Sequence, residues 1–310
     1  MLQATESLLP ILLLLGLGAG LSRIGFLSSE TREGMDKFTY WVALPSLFIY
    51  QLGGTDFRGL ETGGLVLVLG LSILAAAFVA ALLAFVLRLE KEQSGVFMQG
   101  GFRGNMAFVG LPLIIFALGD QAGSDLLVTS ALIGLAAMVP LNNLLAVLAL
   151  VVVQRRLSFV IVGELIRKVL YNPLILSALL GIFLGWFQIP IALTVDRSLD
   201  LLGQTALALA LVSLGAALLQ LEMKGRIGLA SIGGAFKVTI VPLITYGLAL
   251  LFELPAEQVF IVMIFGACPT ATASYILTTQ IGGDESLAAA TILMSTLFSL
   301  PALAVVLILF

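Results

Sequence analysis

Ten apolar segments run along this 310-residue chain, and each is long enough to cross a lipid bilayer as a helix. A membrane-spanning helix needs about 20 predominantly apolar residues, because each residue adds only 1.5 Å along the helix axis. The loops between the segments are short, so there is no room for a soluble domain. The predicted spans cover residues 7–24, 36–53, 61–88, 95–118, 125–153, 168–188, 199–220, 227–252, 256–280 and 286–310.

The composition agrees with an all-α integral membrane protein. Hydrophobic residues make up 60% of the chain and charged residues only 11%, with a mean hydropathy of +1.15. Soluble domains carry about 25% charged residues, so this chain is solvated mainly by lipid. Glu6 is the only charge before the first apolar run and Arg23 follows it, whereas a secretory signal begins with a positive region. We therefore expect the first segment to be retained.

The residue inventory argues against an enzyme. The chain has no histidine and one cysteine, Cys268, which excludes an intramolecular disulfide, a cysteine-cluster metal site, an HExxH zinc site and a Ser-His dyad. Every aspartate and glutamate lies at or near the end of a predicted span. We expect no catalytic residue, no metal and no cofactor, and nothing basic enough to bind nucleic acid.

Lysine and arginine placement predicts the orientation in the membrane, because cytoplasmic loops carry an excess of both. The loops after the even-numbered spans hold only Arg58 and Arg197. We therefore expect a multi-pass protein of the cell (inner or plasma) membrane with both termini outside. The loops after spans 1, 3, 5 and 7 hold Arg23, Arg32 and Lys37; Arg88 and Lys91; Arg155, Arg156, Arg167 and Lys168; and Lys224 and Arg226.

The longest polar gap divides the chain into two halves of five spans. We predict a first repeat at residues 1–154, a cytoplasmic connecting loop at 155–167 and a second repeat at 168–310. Because five is odd, two homologous halves must be inverted relative to each other, as in many secondary transporters. Residues 10–25 and 173–190 share a proline, an aliphatic run and glycines four apart. Glycines at this spacing usually only let helices pack closely, so the shared pattern is weak support for a duplication.

Two spans contain helix breakers among small polar residues. Span 4 carries GGFRGNMAFVGLP (residues 100–112) and span 9 carries FGACPTATASYILTTQIGG (residues 265–283), with Pro112 and Pro269 as the expected crossover prolines. Proline removes a backbone hydrogen bond, and breaks in equivalent helices of inverted halves point to a binding site. Half-helix N-termini there would suit an anion. The alternative is two ordinary proline kinks.

Two cations, Arg103 and Lys237, fall near the middle of predicted spans. A central cation is costly to insert, and no carboxylate at a similar depth is available to pair with either. Long side chains can instead extend to the headgroups, which is the alternative interpretation. The functional interpretation is that an anionic substrate completes the pairing, with arginine binding a carboxylate through two hydrogen bonds and lysine acting as a point charge.

The remaining candidates are small and polar positions near the two breaks. Asn105 can both donate and accept hydrogen bonds, and hydroxyls near Pro269 can do the same unless they bond their own helix carbonyls. Asn142 and Asn143 could join helices or form an ion site. The predicted substrate-binding residues are Arg103, Gly104, Asn105, Lys237, Thr270, Ala271, Thr272 and Ser274.

Three stretches resemble the auxin efflux carrier family, in the bile acid/sodium symporter-like superfamily. They are ALPSLFIYQL (43–52), GNMAFVGLPLI (104–114) and CPTATASYILTTQIGGDESLAAATILMSTLFSLPAL (268–303). The resemblance covers essentially the whole chain and includes bacterial members associated with malonate or malate. It implies ten helices in two inverted repeats, a scaffold bundle and a transport bundle, and substrate bound where broken helices 4 and 9 cross. Plant members place a proline before the span-4 asparagine, whereas this chain has Gly104 there, so plant-type contacts do not transfer.

We therefore expect a secondary transporter of small organic anions, most simply carboxylates, working by an elevator or rocking motion around the crossing of helices 4 and 9. The alternative is a gated anion channel or a non-transporting membrane receptor on the same scaffold. The expected partners are the organic anion and the lipid bilayer, with a homodimer left open.

Overall fold

A computed structural model of the chain describes residues 2–58, 60–118, 124–154, 163, 167, 171–220 and 225–310. In lipid, backbone N–H and C=O groups must find partners within the protein, which favours helices for apolar segments. The described residues are accordingly helical, with no β-strand among them beyond a single isolated bridge. The all-helical prediction is confirmed.

The helices follow the apolar segments closely. Three π-helical turns, at Thr39–Ala43, Met106–Gly110 and Phe236–Ile240, precede α3, α6 and α11. The α-helices are α1 (Leu2–Arg23), α2 (Ser29–Phe38), α3 (Leu44–Gly53), α4 (Gly63–Val86), α5 (Lys91–Phe102), α6 (Leu111–Leu118), α7 (Ser124–Gln154), α8 (Pro173–Trp186), α9 (Leu193–Gln220), α10 (Ile227–Ala235), α11 (Val241–Leu251), α12 (Ala256–Ala267), α13 (Ala273–Ile281) and α14 (Glu285–Leu309).

Five helical stretches within the described residues are long and apolar enough to cross a membrane. They are Gly63–Val86, Ser124–Val151, Leu193–Gln220, Ile227–Leu251 and Glu285–Leu309. Shorter apolar helices, including Pro173–Trp186 and Ala256–Ala267, lie between them in the chain. The predicted connecting loop at 155–167 lies outside the described residues except for positions 163 and 167, as do the basic positions 155, 156, 168 and 224.

The helices pack as two groups. In the first bundle, made of α1, α2, α3, α8 and α9, α9 packs against α1 and α3, and α3 packs against α8. In the second bundle, made of α4–α7 and α10–α14, α4 packs against α5, α7 and α11, while α14 packs against α5 and α10. Each bundle therefore draws helices from both halves of the chain.

Glycines bring helices of the first bundle into close contact. Gly18 of α1 packs against the carbonyl of Val212 in α9, and Gly215 of α9 packs against the carbonyl of Leu15 in α1. On α8, Gly181 packs against the backbone in the middle of α3, and Gly185 packs against the backbone at the end of α3 and just after it. Small residues at such positions let helix backbones approach, as is common in membrane proteins.

We expect Gly18→Ala to lower the stability of the folded protein. A Cβ at this position would overlap the Val212 carbonyl, whereas a Cβ at Gly16 or Gly20 would meet no atom within 4 Å. Overpacking typically costs about 1–3 kcal/mol. The measurement is the melting temperature of the detergent-solubilised variants, with Gly16→Ala and Gly20→Ala as matched controls. Equal melting temperatures for all three would contradict the packing described for α1 and α9.

Candidate functional site

Two helices of the second bundle are interrupted, and the interruptions meet. The chain leaves helical geometry at residues 103–105, after α5, and at 268–272, between α12 and α13. The Asn105 N–H donates to the Pro269 carbonyl at 2.8 Å, and the Ala271 N–H donates to the Arg103 carbonyl at 2.9 Å. Gly104 and Thr270 form the antiparallel bridge between them. The crossing thus satisfies backbone groups that the breaks release, as an apolar environment requires.

The two predicted crossover prolines have different positions. Pro269 lies within the second break, whereas Pro112 lies in α6, beyond the π-helical turn that follows the first break. In that turn the Leu111 N–H donates to the Met106 carbonyl, five residues back. The same arrangement precedes Pro45 and Pro242, each at the second position of its helix. At these sites a wider turn comes before the proline, and the helix continues.

Arg103 is held inside the protein at the end of α5. Its side chain is buried, with a residue exposure of 8%. Nη1 donates to the Ala273 carbonyl at 3.1 Å and Nη2 to Asn143 Oδ1 at 2.7 Å. Within the described part of the chain, no carboxylate lies within 4.0 Å of the guanidinium. The side chain is therefore enclosed by protein, and its charge has no ion-pair partner among the described residues.

A cavity of about 320 Å³ lies beside this guanidinium, between the two bundles. Its lining includes residues at both breaks (Gly104, Ala271 and Thr272 among them) and side chains from α2 and α7. The polar and charged side chains that line it are Asp36, Tyr40, Arg103, Asn105, Asn142, Asn143 and Thr272. It is thus a polar site within an otherwise apolar helical protein.

A second, larger cavity of about 790 Å³ adjoins the first and shares Tyr40, Arg103 and Asn143 with it. Its lining extends to Arg167 and Gln280. Arg167 belongs to the segment between the two halves of the chain, which the charge pattern assigns to the cytoplasmic side. Arg103 therefore lines both the smaller cavity and a space that reaches toward that segment.

Asn105 and Asn142, which line the smaller cavity, each carry one amide atom without a partner in the described part of the chain. Asn105 Nδ2 and Asn142 Oδ1 are buried and lack a hydrogen bond among the described residues. Leaving a buried polar atom unpaired costs about 1–3 kcal/mol. Arg103 uses only two of its five N–H donors on the described protein atoms. A ligand in the cavity would find free donors on Arg103.

Three of the predicted substrate-binding residues do not line either cavity. The Thr270 hydroxyl donates to the Gly100 carbonyl at 2.8 Å. Ser274 is buried, and its carbonyl accepts from Gln99 Nε2 at 3.2 Å. Lys237, in the π-helical turn before α11, is 1% exposed and donates from Nζ to the Gly266 carbonyl at 2.6 Å. The Thr270 side chain thus joins the two broken helices and Lys237 ties α12 to the turn before α11, whereas the Ser274 hydroxyl has no partner among the described residues.

Two polar residues that line the smaller cavity, and one buried amide between the broken helices, were not predicted from the sequence. Asp36 and Tyr40 line the smaller cavity from the first bundle, where Asp36 also pairs with Arg32 at 2.8 Å. Gln99 is fully buried in α5 and donates to Thr278 Oγ1 at 2.7 Å. Sequence features could have pointed to them. Asp36 and Tyr40 are four residues apart and so share a helix face, and Gln99 is an uncharged amide in an apolar span.

An apolar helical protein with a polar cavity at crossed, interrupted helices belongs to the class of integral membrane transport proteins. A protein-family model described as "Membrane transport protein" matches residues 3–307. The chain therefore belongs to this family, and its resemblance to the auxin efflux carriers is confirmed.

Individual relatives carry transporter names. The chain is 26% identical over 304 residues to a "Putative malonate transporter" of Rhizobium meliloti (strain 1021), covering 96% of this chain and 93% of the relative. It is 23% identical over 315 residues to an "Uncharacterized transporter" of Methanothermobacter thermautotrophicus, covering 97% and 96%. A shorter stretch of 68 residues is 40% identical to an "Uncharacterized sodium-dependent transporter" of Bacillus subtilis (strain 168), covering 22% and 21%.

Proposed function

We propose that this protein is a secondary transporter of small organic anions, in particular carboxylates. The observation that carries the proposal is the Arg103 guanidinium, buried beside a polar cavity with no carboxylate within 4.0 Å in the described part of the chain. Burying an unpaired charge is costly, so a site of this kind favours a ligand that supplies the opposite charge. Because the chain belongs to a membrane transport family, we expect the protein to carry that ligand across the bilayer.

The donors in the cavity suit a carboxylate. A guanidinium binds a carboxylate through two charge-assisted hydrogen bonds, and Arg103 has N–H donors that no described residue uses. The start of α13 also borders the cavity through Ala271, Thr272 and Ala273, and the positive end of a helix dipole favours an anion. The cavity volume of about 320 Å³ is at the small end of ligand pockets, which favours compact anions.

The packing supports two inverted five-helix repeats, at residues 1–154 and 168–310, in a ten-span protein. In these repeats α1 corresponds to α8, α3 to α9, α4 to α11 and α5 to α12. The contact of α1 with α9 in one half therefore corresponds to that of α8 with α3, and the contact of α4 with α5 corresponds to that of α11 with α12. Both pairs of contacts are present in the structure. The two interrupted spans likewise occupy equivalent places, the fourth in each half.

We further propose alternating access, with the first bundle as a scaffold and the second as the moving, substrate-holding part. The smaller cavity shares lining residues with the larger cavity, which reaches Arg167 on the side that the charge pattern assigns to the cytoplasm. At the opposite ends of the helices, Thr55 of the first bundle and Thr129 of the second have hydroxyl oxygens 3.0 Å apart. Opening that contact while closing the Arg167 side, by an elevator or rocking motion, would expose the site to the other face.

Anion binding is tested by thermal unfolding of the purified protein with mono- and dicarboxylates. Malonate is the first ligand to try, because it appears in the name of the Rhizobium relative. A ligand at 100 times its dissociation constant should stabilise the folded state by about 2.7 kcal/mol. Sulfate and chloride at equal ionic strength control for screening. Absence of stabilisation by every carboxylate tested would contradict the proposal.

The proposed orientation, with both termini outside the cell membrane, is tested by labelling introduced cysteines. Asp56 and Lys91 are exposed, and the charge pattern puts position 56 outside and position 91 in the cytoplasm. The native Cys268 is buried, so background labelling should be low. We expect a membrane-impermeant thiol reagent to label Asp56→Cys in intact cells and Lys91→Cys only after permeabilisation. The reverse pattern would invert the orientation.

A further inference from the structure

Building on the proposed transport function, we infer that the Lys237 ammonium group replaces a coupling cation at the broken end of α12, which makes the carrier independent of sodium. Lys237 lies in the second bundle, in the turn that joins α10 to α11. Its charge would therefore move with the proposed transport bundle as a permanently tethered cation.

The end of α12 is a place where a cation is favoured. The last four carbonyls of a helix have no partner within that helix, and they carry the negative end of the helix dipole. Carbonyls at the ends of interrupted helices bind the coupling ions of several secondary transporters. Here α12 ends at Ala267, and the carbonyl of Gly266 accepts a 2.6 Å hydrogen bond from Lys237 Nζ.

The other interrupted helix shows that a break does not need a positive charge. At the end of α5, the Gly100 carbonyl accepts from the Thr270 hydroxyl at 2.8 Å, and the Phe102 carbonyl accepts from the Gly104 N–H at 3.0 Å. Those donors are neutral. The two breaks therefore differ in that an ammonium group caps only the second of them.

The ammonium group has no carboxylate partner in the described part of the chain. Lys237 is 1% exposed, and none of the described carboxylates lies within 4.0 Å of it. It does not line either cavity beside Arg103, yet it lies close to the crossing, because a Cβ on Gly104 would be 3.4 Å from Nζ. A buried lysine is costly to retain, whereas a neutral donor could make the same hydrogen bond. We take the positive charge itself to be the property that the site uses.

Sodium is the cation to test, because a segment of the chain resembles a Bacillus transporter described as sodium-dependent. For the wild type, replacing sodium with choline should change neither the melting temperature nor the initial rate of malonate uptake. In Lys237→Ala, which vacates the ammonium position, sodium or ethylammonium should raise the melting temperature relative to choline. Uptake by this variant in choline should fall, and sodium should restore it by about tenfold, within the usual range of coupling between sites.

Two further variants separate charge from hydrogen bonding. Lys237→Gln keeps a donor without the charge and should lose uptake in choline, as Lys237→Ala does. Thr270→Val, at the other break, should lower the melting temperature without creating a response to sodium. The inference is overturned by a wild type that requires sodium, by a sodium response in Thr270→Val equal to that in Lys237→Ala, or by a Lys237→Gln protein that matches the wild type in choline.

These outcomes are separable from failure of the proposed function. The effect of sodium on the melting temperature of Lys237→Ala needs no anion and no transport. If the wild type binds no carboxylate, the Arg103 proposal fails while the cation response remains measurable. If Lys237→Ala does not fold, the inference is tested by whether the wild type works without sodium and by whether Lys237→Gln loses uptake in choline.

Discussion

Arg103→Gln is expected to abolish carboxylate uptake and the stabilisation of the protein by carboxylates. The guanidinium is the one cation that lines the smaller cavity among the described residues. Truncating one partner of a buried charged pair typically costs about 2–5 kcal/mol, which corresponds to an affinity loss of about 30-fold to several thousand-fold. Glutamine keeps a polar group near Asn143 and Ala273, which favours retention of the fold. The measurements are uptake into proteoliposomes and thermal unfolding with and without malonate.

Two controls interpret that result. Arg103→Lys keeps the charge but loses the planar fork, so it should bind carboxylates weakly rather than not at all. Arg58→Gln removes an arginine whose side chain is 86% exposed and should behave as the wild type. Wild-type uptake by a folded Arg103→Gln protein would show that the guanidinium has only a structural role in joining α5 to α7 and α13.

A disulfide between Thr55→Cys and Thr129→Cys is expected to stop transport while leaving anion binding intact. The two hydroxyl oxygens lie 3.0 Å apart across the boundary between the bundles, so the replacing sulfur atoms are within reach of a bond. If the second bundle moves against the first, the bond holds the carrier with the Arg167 side open. Uptake should then fall to the background of empty liposomes under oxidation and return with reductant, in a Cys268→Ala background that transports normally.

The matched control is a crosslink within one bundle. Ser22 and Gln220 belong to α1 and α9 of the first bundle, and Gln220 Nε2 lies 3.2 Å from Ser22 Oγ. Linking cysteines at these two positions with a short bifunctional thiol reagent should leave uptake nearly unchanged. Full activity of the oxidised Thr55→Cys/Thr129→Cys protein would contradict relative movement of the bundles at that end.

The sequence predicted the helices well, because apolar length is a strong signal in a membrane protein. Residues 61–88 were predicted as a span and α4 covers Gly63–Val86, while residues 286–310 correspond to α14 at Glu285–Leu309. Pro269 lies in the break between α12 and α13, whereas Pro112 lies in α6, beyond the first break. A π-helical turn before a proline leaves no mark in the sequence.

The site itself was only partly predictable. Arg103 stood out as a cation in an apolar segment, and it does line the cavity. Neighbouring residues in an extended segment point to opposite sides, so Ala271 lines the cavity while the Thr270 side chain faces α5. The sequence alone could not show which of the hydroxyl side chains near Pro269 line the cavity and which do not. Asp36 enters the site by packing between bundles, which depends on contacts distant in the chain.

Counterflow in proteoliposomes tests the central claim, that the protein is a carrier, most directly. Purified protein is reconstituted, the vesicles are loaded with unlabelled malonate, and entry of labelled malonate from a dilute external solution is followed over time. A carrier whose loaded form reorients faster than its empty form should show label accumulating transiently above equilibrium, with faster entry than into unloaded vesicles, and Arg103→Gln should show neither effect. A gated channel would let label equilibrate without stimulation by internal malonate, and a receptor would show no entry at all; either result would contradict the account.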